Sequence, residues 1–187
     1  MAVGTRDALI HTAENLMRTR GYTAFSYADL SDAVGIRKAS IHHHFPTKED
    51  LGTAIVEEYI DRVRTEFGRI EAQHEHVIGR LEAFLQIFRS SADGGLLPLC
   101  GALAAEMSAL PLSLQQLTQR FFDLQLSWLS RTLEQGIKRK EIPEGSGARH
   151  KAFLLLSILE GSCFVNWATK DEDPLSPSVV RLIVEHA

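Results

Sequence analysis

The stretch Gly35-Ile36-Arg37-Lys38-Ala39-Ser40-Ile41-His42-His43-His44-Phe45-Pro46-Thr47-Lys48-Glu49-Asp50-Leu51 has room for one short helix and the start of a longer one. Gly35 suits the left-handed conformation that closes a helix, and Pro46 cannot sit in a helix interior, so the short helix fits between them. Thr47 and Asp50 stand at capping-box spacing and open the next helix, which runs to about residue 72. At about 100° per residue, Ile41 and Phe45 fall about 40° apart and form the buried edge of the short helix. Ala39, His42 and His43 lie about 160°, 100° and 200° from Ile41, on the other side, with His44 about 60° from it and nearer the core. Such a helix is held by one edge and offers the other to a partner.

Working upstream, Leu9, Ala13, Leu16 and Met17 recur at i, i+4, i+7 and i+8, which predicts a helix over about residues 5–20 that stops at Gly21. Ser26 and Asp29 repeat the capping signature, so a second helix begins near Tyr27 and ends at Gly35. A supporting helix followed by two short ones across a glycine turn is the layout of a helix-turn-helix. Downstream, helices are expected at about 76–90, 97–107, 113–139, 147–169 and 176–186. The breaks fall at Gly94-Gly95, at Pro111, and across 143–147 and 171–177. No alternating run reads as a strand and no repeat is visible, so the class is all-α with about nine helices.

Composition sets the outer limits. The 187 residues are 44% hydrophobic and 24% charged, as in soluble globular chains. Cys100 and Cys163, the two cysteines, have no spacing that suggests a zinc site or a disulfide framework. No basic stretch followed by an apolar run marks a signal peptide, and the apolar run at 152–159 is too short to span a bilayer, so a cytoplasmic location is expected. The net charge of −4 argues against indiscriminate coating of nucleic acid. Its distribution is uneven: residues 1–50 balance six Lys/Arg against six Asp/Glu and hold four of the eight histidines.

The outward face of the short helix suits a DNA major groove. Ala39 permits close approach to a thymine methyl, and Ser40 can serve bases or phosphates. Arg37 and Lys38 at its start bring positive charge to the backbone or donors to guanine. Ser26 and Tyr27 open the second helix, where a hydroxyl and free N–H groups can meet a phosphate, and Lys48 can do the same at the start of the fourth. His42, His43 and His44 splay at 100° steps, whereas paired metal ligands need i, i+3 or i, i+4 spacing, so no metal is expected.

These residues carry a family resemblance. The run from Gly35 to Leu51 resembles the recognition segment of TetR-type regulators, and upstream Ala13, Leu16, Gly21, Tyr22, Phe25 and Asp29-Leu30 agree with that family's first two helices. The likeness is specific over about fifty residues. It implies an Ω-shaped homodimer of nine-helix chains that binds a near-palindromic operator, usually to repress. Residues 1–47 would form the DNA-binding domain and residues 48–187 the effector-binding and dimerisation domain. His42 departs from the pattern, standing where the family commonly has a tyrosine that contacts phosphate or base. The DNA-binding set is then Ser26, Tyr27, Arg37, Lys38, Ala39, Ser40, His42, His43 and Lys48.

The remainder must supply dimer contacts and a switch. Phe121, Phe122, Leu126, Trp128, Leu129 and Leu133, then Phe153, Leu156, Leu159, Phe164 and Trp167, stripe two long helices. Each reads first as core, and together the two helices can pair with a partner's copies in a four-helix bundle. The resemblance places the helix at 147–169 and a neighbour, in part the helix at 176–186, at that interface. The segment from Leu97 to Met107 resembles one in some TetR-type subgroups, in some members of which a cysteine answers electrophiles or oxidants. Pro98 replaces the second cysteine here, which leaves Cys100 as either a thiol sensor or a small buried hydrophobe. Glu106 is either paired in the core or facing a cavity. Cys100, Met107, Phe121, Trp128 and Phe164 are the candidate lining for a mainly apolar small-molecule effector. No cofactor is called for. The rivals are a helical small-molecule-binding protein without DNA affinity and a thiol enzyme using Cys100 with His74, His76 or His150.

Overall fold

A computed structural model describes residues 4–170 and 176–186 of the chain, and every regular element among them is helical. The order is α1 (Thr5–Arg20), α2 (Tyr27–Val34), α3 (Lys38–His44), α4 (Lys48–Gln73) and α5 (Val77–Asp93). Then come α6 (Leu99–Ala105), a 3-10 turn at Met107–Ala109, α7 (Leu112–Lys138), α8 (Ala148–Thr169) and α9 (Ser178–His186). Among the described residues, the all-α class and the nine α-helices match the expectation; the break expected at 171–177 lies largely outside them. One element differs. The helix expected over 97–107 begins after Pro98 and stops at Ala105, because Glu106 leaves helical geometry and its side chain turns to a distant partner.

Local chemistry sets the first boundaries. Gly21 closes α1 at φ 90°, and Gly35 closes α2 in the left-handed region at φ 76°, where a side chain would be strained. Ser26 Oγ accepts from the Ala28 and Asp29 N–H groups while Asp29 Oδ2 accepts from Ser26 N at 2.8 Å, a complete capping box with Asp in the usual Glu position. Thr47 and Asp50 do the same for α4, at 2.9 and 3.1 Å. Such caps contribute about 1 kcal/mol each.

The chain divides into two compact units. One comprises Met1–Asp61 with Leu96–Phe121, the other Arg62–Gly95 with Phe122–Ala187, so α4 and α7 each give residues to both. In the first unit, Leu9, Ile10, Ala13 and Met17 of α1 are buried with Leu30, Ile41, Phe45, Leu51 and Ile55, while Leu16 of the expected stripe is half-buried. Leu99, Cys100, Leu103 and Leu114 come from the later segment and share that core.

The second unit is built on stacked aromatics. The Trp128 ring lies 4.5 Å from that of Phe67 with planes 15° apart, and Phe84 flanks it at 5.6 Å. Its indole N–H donates to Glu71 Oε1 at 2.8 Å, which satisfies the one polar atom of an otherwise apolar ring. Lys151, fully buried, donates to the Val184 carbonyl at 2.7 Å, near the end of α9 where carbonyls lack helical partners. This bond fastens α9 to α8.

α8 is apolar on nearly every side. Leu155, Leu156, Leu159 and Cys163 face inward, yet Phe153 is 58% exposed, Val165 60% and Trp167 40%. Phe153 and Trp167, read from the sequence as core, are therefore surface residues: a helix with apolar residues on every side cannot bury all of them in one chain. By length and composition alone α8 is also long and apolar enough to cross a bilayer, a larger span than the 152–159 run suggested.

Candidate nucleic-acid interface

α3 is anchored as its periodicity requires. Ile41 is fully buried and Phe45 is 4% exposed, while Ala39, Ser40, His42 and His43 face solvent together with Arg37 and Lys38. His44 is exposed as well, although its angle put it nearer the core. The helix ends there, and Phe45 turns into extended geometry (φ −136°, ψ 95°) to take the inner position.

The polar side chains expected beside DNA divide into two groups. Arg37, Lys38, Ser40 and His43 lie on the open side. Ser26 is spent on the α2 cap, where its hydrogen bonds hold the exposed Asp29 carboxyl below the usual carboxylate range. Tyr27 is turned inward. Its hydroxyl donates toward the Phe45 and Thr47 carbonyls, at 2.9 and 2.6 Å, and so clamps α2 to the turn that follows α3. Burial, with help from the Asp50 charge, pushes this phenol up to about 12, so it remains a donor throughout the working pH range. His42 lies against the Tyr27 ring at 4.9 Å, with Nδ1 at 3.1 Å from the Pro46 carbonyl. A carbonyl only accepts, so Nδ1 carries the hydrogen.

Lys48 also folds back. Its amine donates to the Phe25 carbonyl and sits 4.4 Å from the Phe25 ring centroid and 4.6 Å from that of Tyr22. Burial holds the amine below the usual lysine range, against the opposing pull of the Glu106 carboxylate. The Lys48→Ala variant is expected to lose about 1–2 kcal/mol of stability. The salt dependence of its DNA affinity should stay that of the parent. A salt slope lower by about one unit would show instead that the amine leaves this cage for a phosphate.

Glu106 proves to be paired. Its carboxylate accepts from the Tyr22 N–H at 2.6 Å, from the Thr23 N–H at 3.2 Å and from the Thr23 hydroxyl, and so holds the α1–α2 turn. Gly21 makes room for it, since a Cβ there would stand 2.7 Å from Oε1. Close by in the same unit, Arg18 donates to the Leu97 carbonyl at 2.7 Å and pairs with Glu14 at 3.4 Å. The Glu106 contacts and the Arg18–Leu97 bond join residues about eighty positions apart. The sequence marked Glu106 as an oddity without naming its partner, and it gave no sign of Thr23 or Arg18.

The five expected ligand-lining residues are distributed over both units. Cys100 and Phe121 are buried in the first unit, Phe121 against the Tyr59 ring at 5.3 Å, and Met107 is half-buried in the 3-10 turn. Trp128 belongs to the aromatic stack of the second unit, and Phe164 is half-buried on α8.

Comparison with known proteins agrees with this architecture. The family model described as bacterial regulatory proteins, tetR family, matches residues 9–55, the segment from α1 into α4. The HTH-type transcriptional repressor KstR2 of Mycolicibacterium smegmatis is 29% identical over 86 residues, which span 46% of this chain and 40% of that protein. The HTH-type transcriptional regulator CymR of Pseudomonas putida is 27% identical over 146 residues, 75% of this chain and 71% of its own. The crystal structure of a TetR transcriptional regulator from Legionella pneumophila superposes with a TM-score of 0.86 at 28% identity, covering 97% of this chain and 96% of that one. With the recognition segment, the order of helices and these likenesses in accord, residues 9–55 match the tetR family of bacterial regulatory proteins, and the chain as a whole has the fold of a TetR transcriptional regulator.

Proposed function

We propose that the chain is a ligand-responsive repressor that binds a near-palindromic operator as a homodimer in the cytoplasm. The observation that carries this reading is α3, pinned by Ile41 and Phe45 with Ala39, Ser40, His42 and His43 left open to a major groove. Arg37 and Lys38 supply donors for guanine or charge for the backbone. Tyr27 and His42 through Nδ1 bind the turn that ends the reading helix, and Lys48 ties the start of α4 to the α1–α2 loop, so contact with DNA falls chiefly to the residues from Arg37 to His43. The proposed boundary at residue 47 ends the reading surface, while the compact unit that carries this surface runs on to Asp61 and takes in Leu96–Phe121.

The proposed partner at α8 is a second copy of this chain. Phe153, Ser157, Gly161 and Val165 follow one another at four-residue spacing, all exposed, and Leu182 of α9 is 60% exposed. A symmetric pairing buries each of these residues twice, and each buried apolar side chain contributes about 1.5–3 kcal/mol. Two heads on one dimer must meet successive major grooves about 34–36 Å apart. A mainly apolar effector that prefers another head separation weakens operator binding by its differential affinity, typically about 1–3 kcal/mol or roughly 5–150-fold.

Selection of bound sequences from random duplexes tests the reading. A palindrome with two half-sites is expected, and failure to enrich any sequence would overturn it. With the operator in hand, Arg37→Ala or Lys38→Ala should relax base preference within each half-site. An unchanged preference would move both residues to the phosphate backbone. Cys100, wholly buried in the first-unit core, fits the packing role better than that of a thiol sensor.

A further inference from the structure

Glu160 is the one charged residue of the apolar α8 stretch Leu154-Leu155-Leu156-Ser157-Ile158-Leu159-Glu160. Both of its carboxylate oxygens are sealed from solvent, and neither has a hydrogen-bond donor. Other buried charges of this chain are provided for: Lys151 has the Val184 carbonyl and Arg18 has the Leu97 carbonyl. Among the described residues, the buried side-chain atoms left without a partner are these two oxygens and Gln125 Oε1. All three are acceptors, and all belong to the second unit. The shortage is one of donors. Buried polar groups are almost always satisfied in working proteins, so an orphan of this kind calls for a missing partner.

We propose that the effector is an apolar molecule bearing a protonated amine or amidine, and that Glu160 receives this cation. The proposal rests on the ligand-responsive part of the function above and gives that ligand a charge and a polarity. On α8, Leu156 and Phe164 lie four positions to either side of Glu160 and Cys163 three positions on, so three of its four helical neighbours are apolar and the fourth is the exposed Ser157. A cation with a hydrocarbon body satisfies both features: its N–H groups supply the missing donors and its body keeps water out. An anionic effector would set like charge against a carboxylate that has no counter-ion.

Without a ligand, burial pushes the Glu160 carboxyl up to about 7. The folded chain then keeps a proton that the unfolded chain releases between the ordinary glutamate range and about pH 7. Proton linkage makes the stability due to this group fall as pH rises through that window. Replacement by glutamine removes the titration and this part of the pH dependence.

The test uses the full chain with probes of matched shape: phenylbutylammonium, phenylbutanol and phenylbutyrate, extended by hexyl-, octyl- and decylammonium. Ammonium ions are expected to raise the melting temperature and weaken operator binding, the alcohol less so, and the carboxylate not at all. Glu160→Gln, which removes a buried charge and should fold at least as well, is expected to bind the ammonium probes roughly thirtyfold or more weakly. It should keep whatever affinity the alcohol has. The proposal is overturned if no ammonium probe shifts melting, if alcohol and ammonium act alike, or if Glu160→Gln retains ammonium affinity. Operator binding by the unliganded chain is measured alongside. Its absence would sink the DNA-binding reading, while the melting curves would still decide the ligand question.

Discussion

Val165→Arg should turn a dimer into a monomer and weaken operator binding by about a hundredfold or more, while leaving each chain folded. Val165 is 60% exposed, so a larger polar side chain there costs little within one chain. In a two-fold pairing along α8, the substitution sets two guanidinium groups into an apolar seam without counter-ions, and burying an unpaired charge is prohibitive. Losing one of two linked half-sites removes the advantage of effective concentration, which is worth about 10²–10⁴ in affinity. Sedimentation gives the mass, circular dichroism the fold and a gel shift the affinity. If the variant remains a dimer with parental affinity, the Phe153–Val165 row is ordinary surface and the pairing must be sought elsewhere. Phe153→Glu, at the other end of the row, should act in the same direction.

The second large effect is expected at Glu106. Removing its carboxylate with Glu106→Ala leaves the Tyr22 and Thr23 amides without their acceptor. Hydrogen bonds to a charged group are the stronger kind, and stranding their donors costs more than the bonds themselves contribute. A loss of about 2–4 kcal/mol is expected, roughly 5–15 °C in melting temperature for a chain of this size. Glu106→Gln keeps one acceptor without the charge and should fall between the two. Operator affinity should drop further than global unfolding explains, because the α1–α2 turn that positions the reading helix has come loose. Urea titration and DNA binding well below the midpoint separate these two losses. A parental melting temperature in Glu106→Ala would show that water replaces the carboxylate at no cost.

Helix boundaries were legible because the signals that set them are local. Gly21, Gly35, Pro46 and the capping pairs Ser26–Asp29 and Thr47–Asp50 act within a few residues, and the observed ends follow them closely. The inner edge of α3 was legible for the same reason, since Ile41 and Phe45 follow from helical period alone. Direction of long polar side chains was not. Tyr27 and Lys48 stand at positions that read as phosphate contacts, and both reach back over neighbouring rings and carbonyls. Periodicity gives a face, and a flexible side chain can leave it. Contacts between distant segments were beyond reach, as between Glu106 and Tyr22. Glu160, an acid amid leucines, was passed over in the sequence, since nothing local says whether a buried acid will be paired.

The carboxylate that holds the α1–α2 turn has a consequence for anyone who would transplant this reading head. The natural unit of exchange is not the first fifty residues but a discontinuous piece, Met1–Asp61 together with Leu96–Phe121. A chimaera spliced just past α3 would inherit its acceptor for Tyr22, and its carbonyl for Arg18, from a foreign chain. Any exchange of the N-terminal helices must therefore carry along a segment that begins about seventy-five residues after the α1–α2 turn it braces.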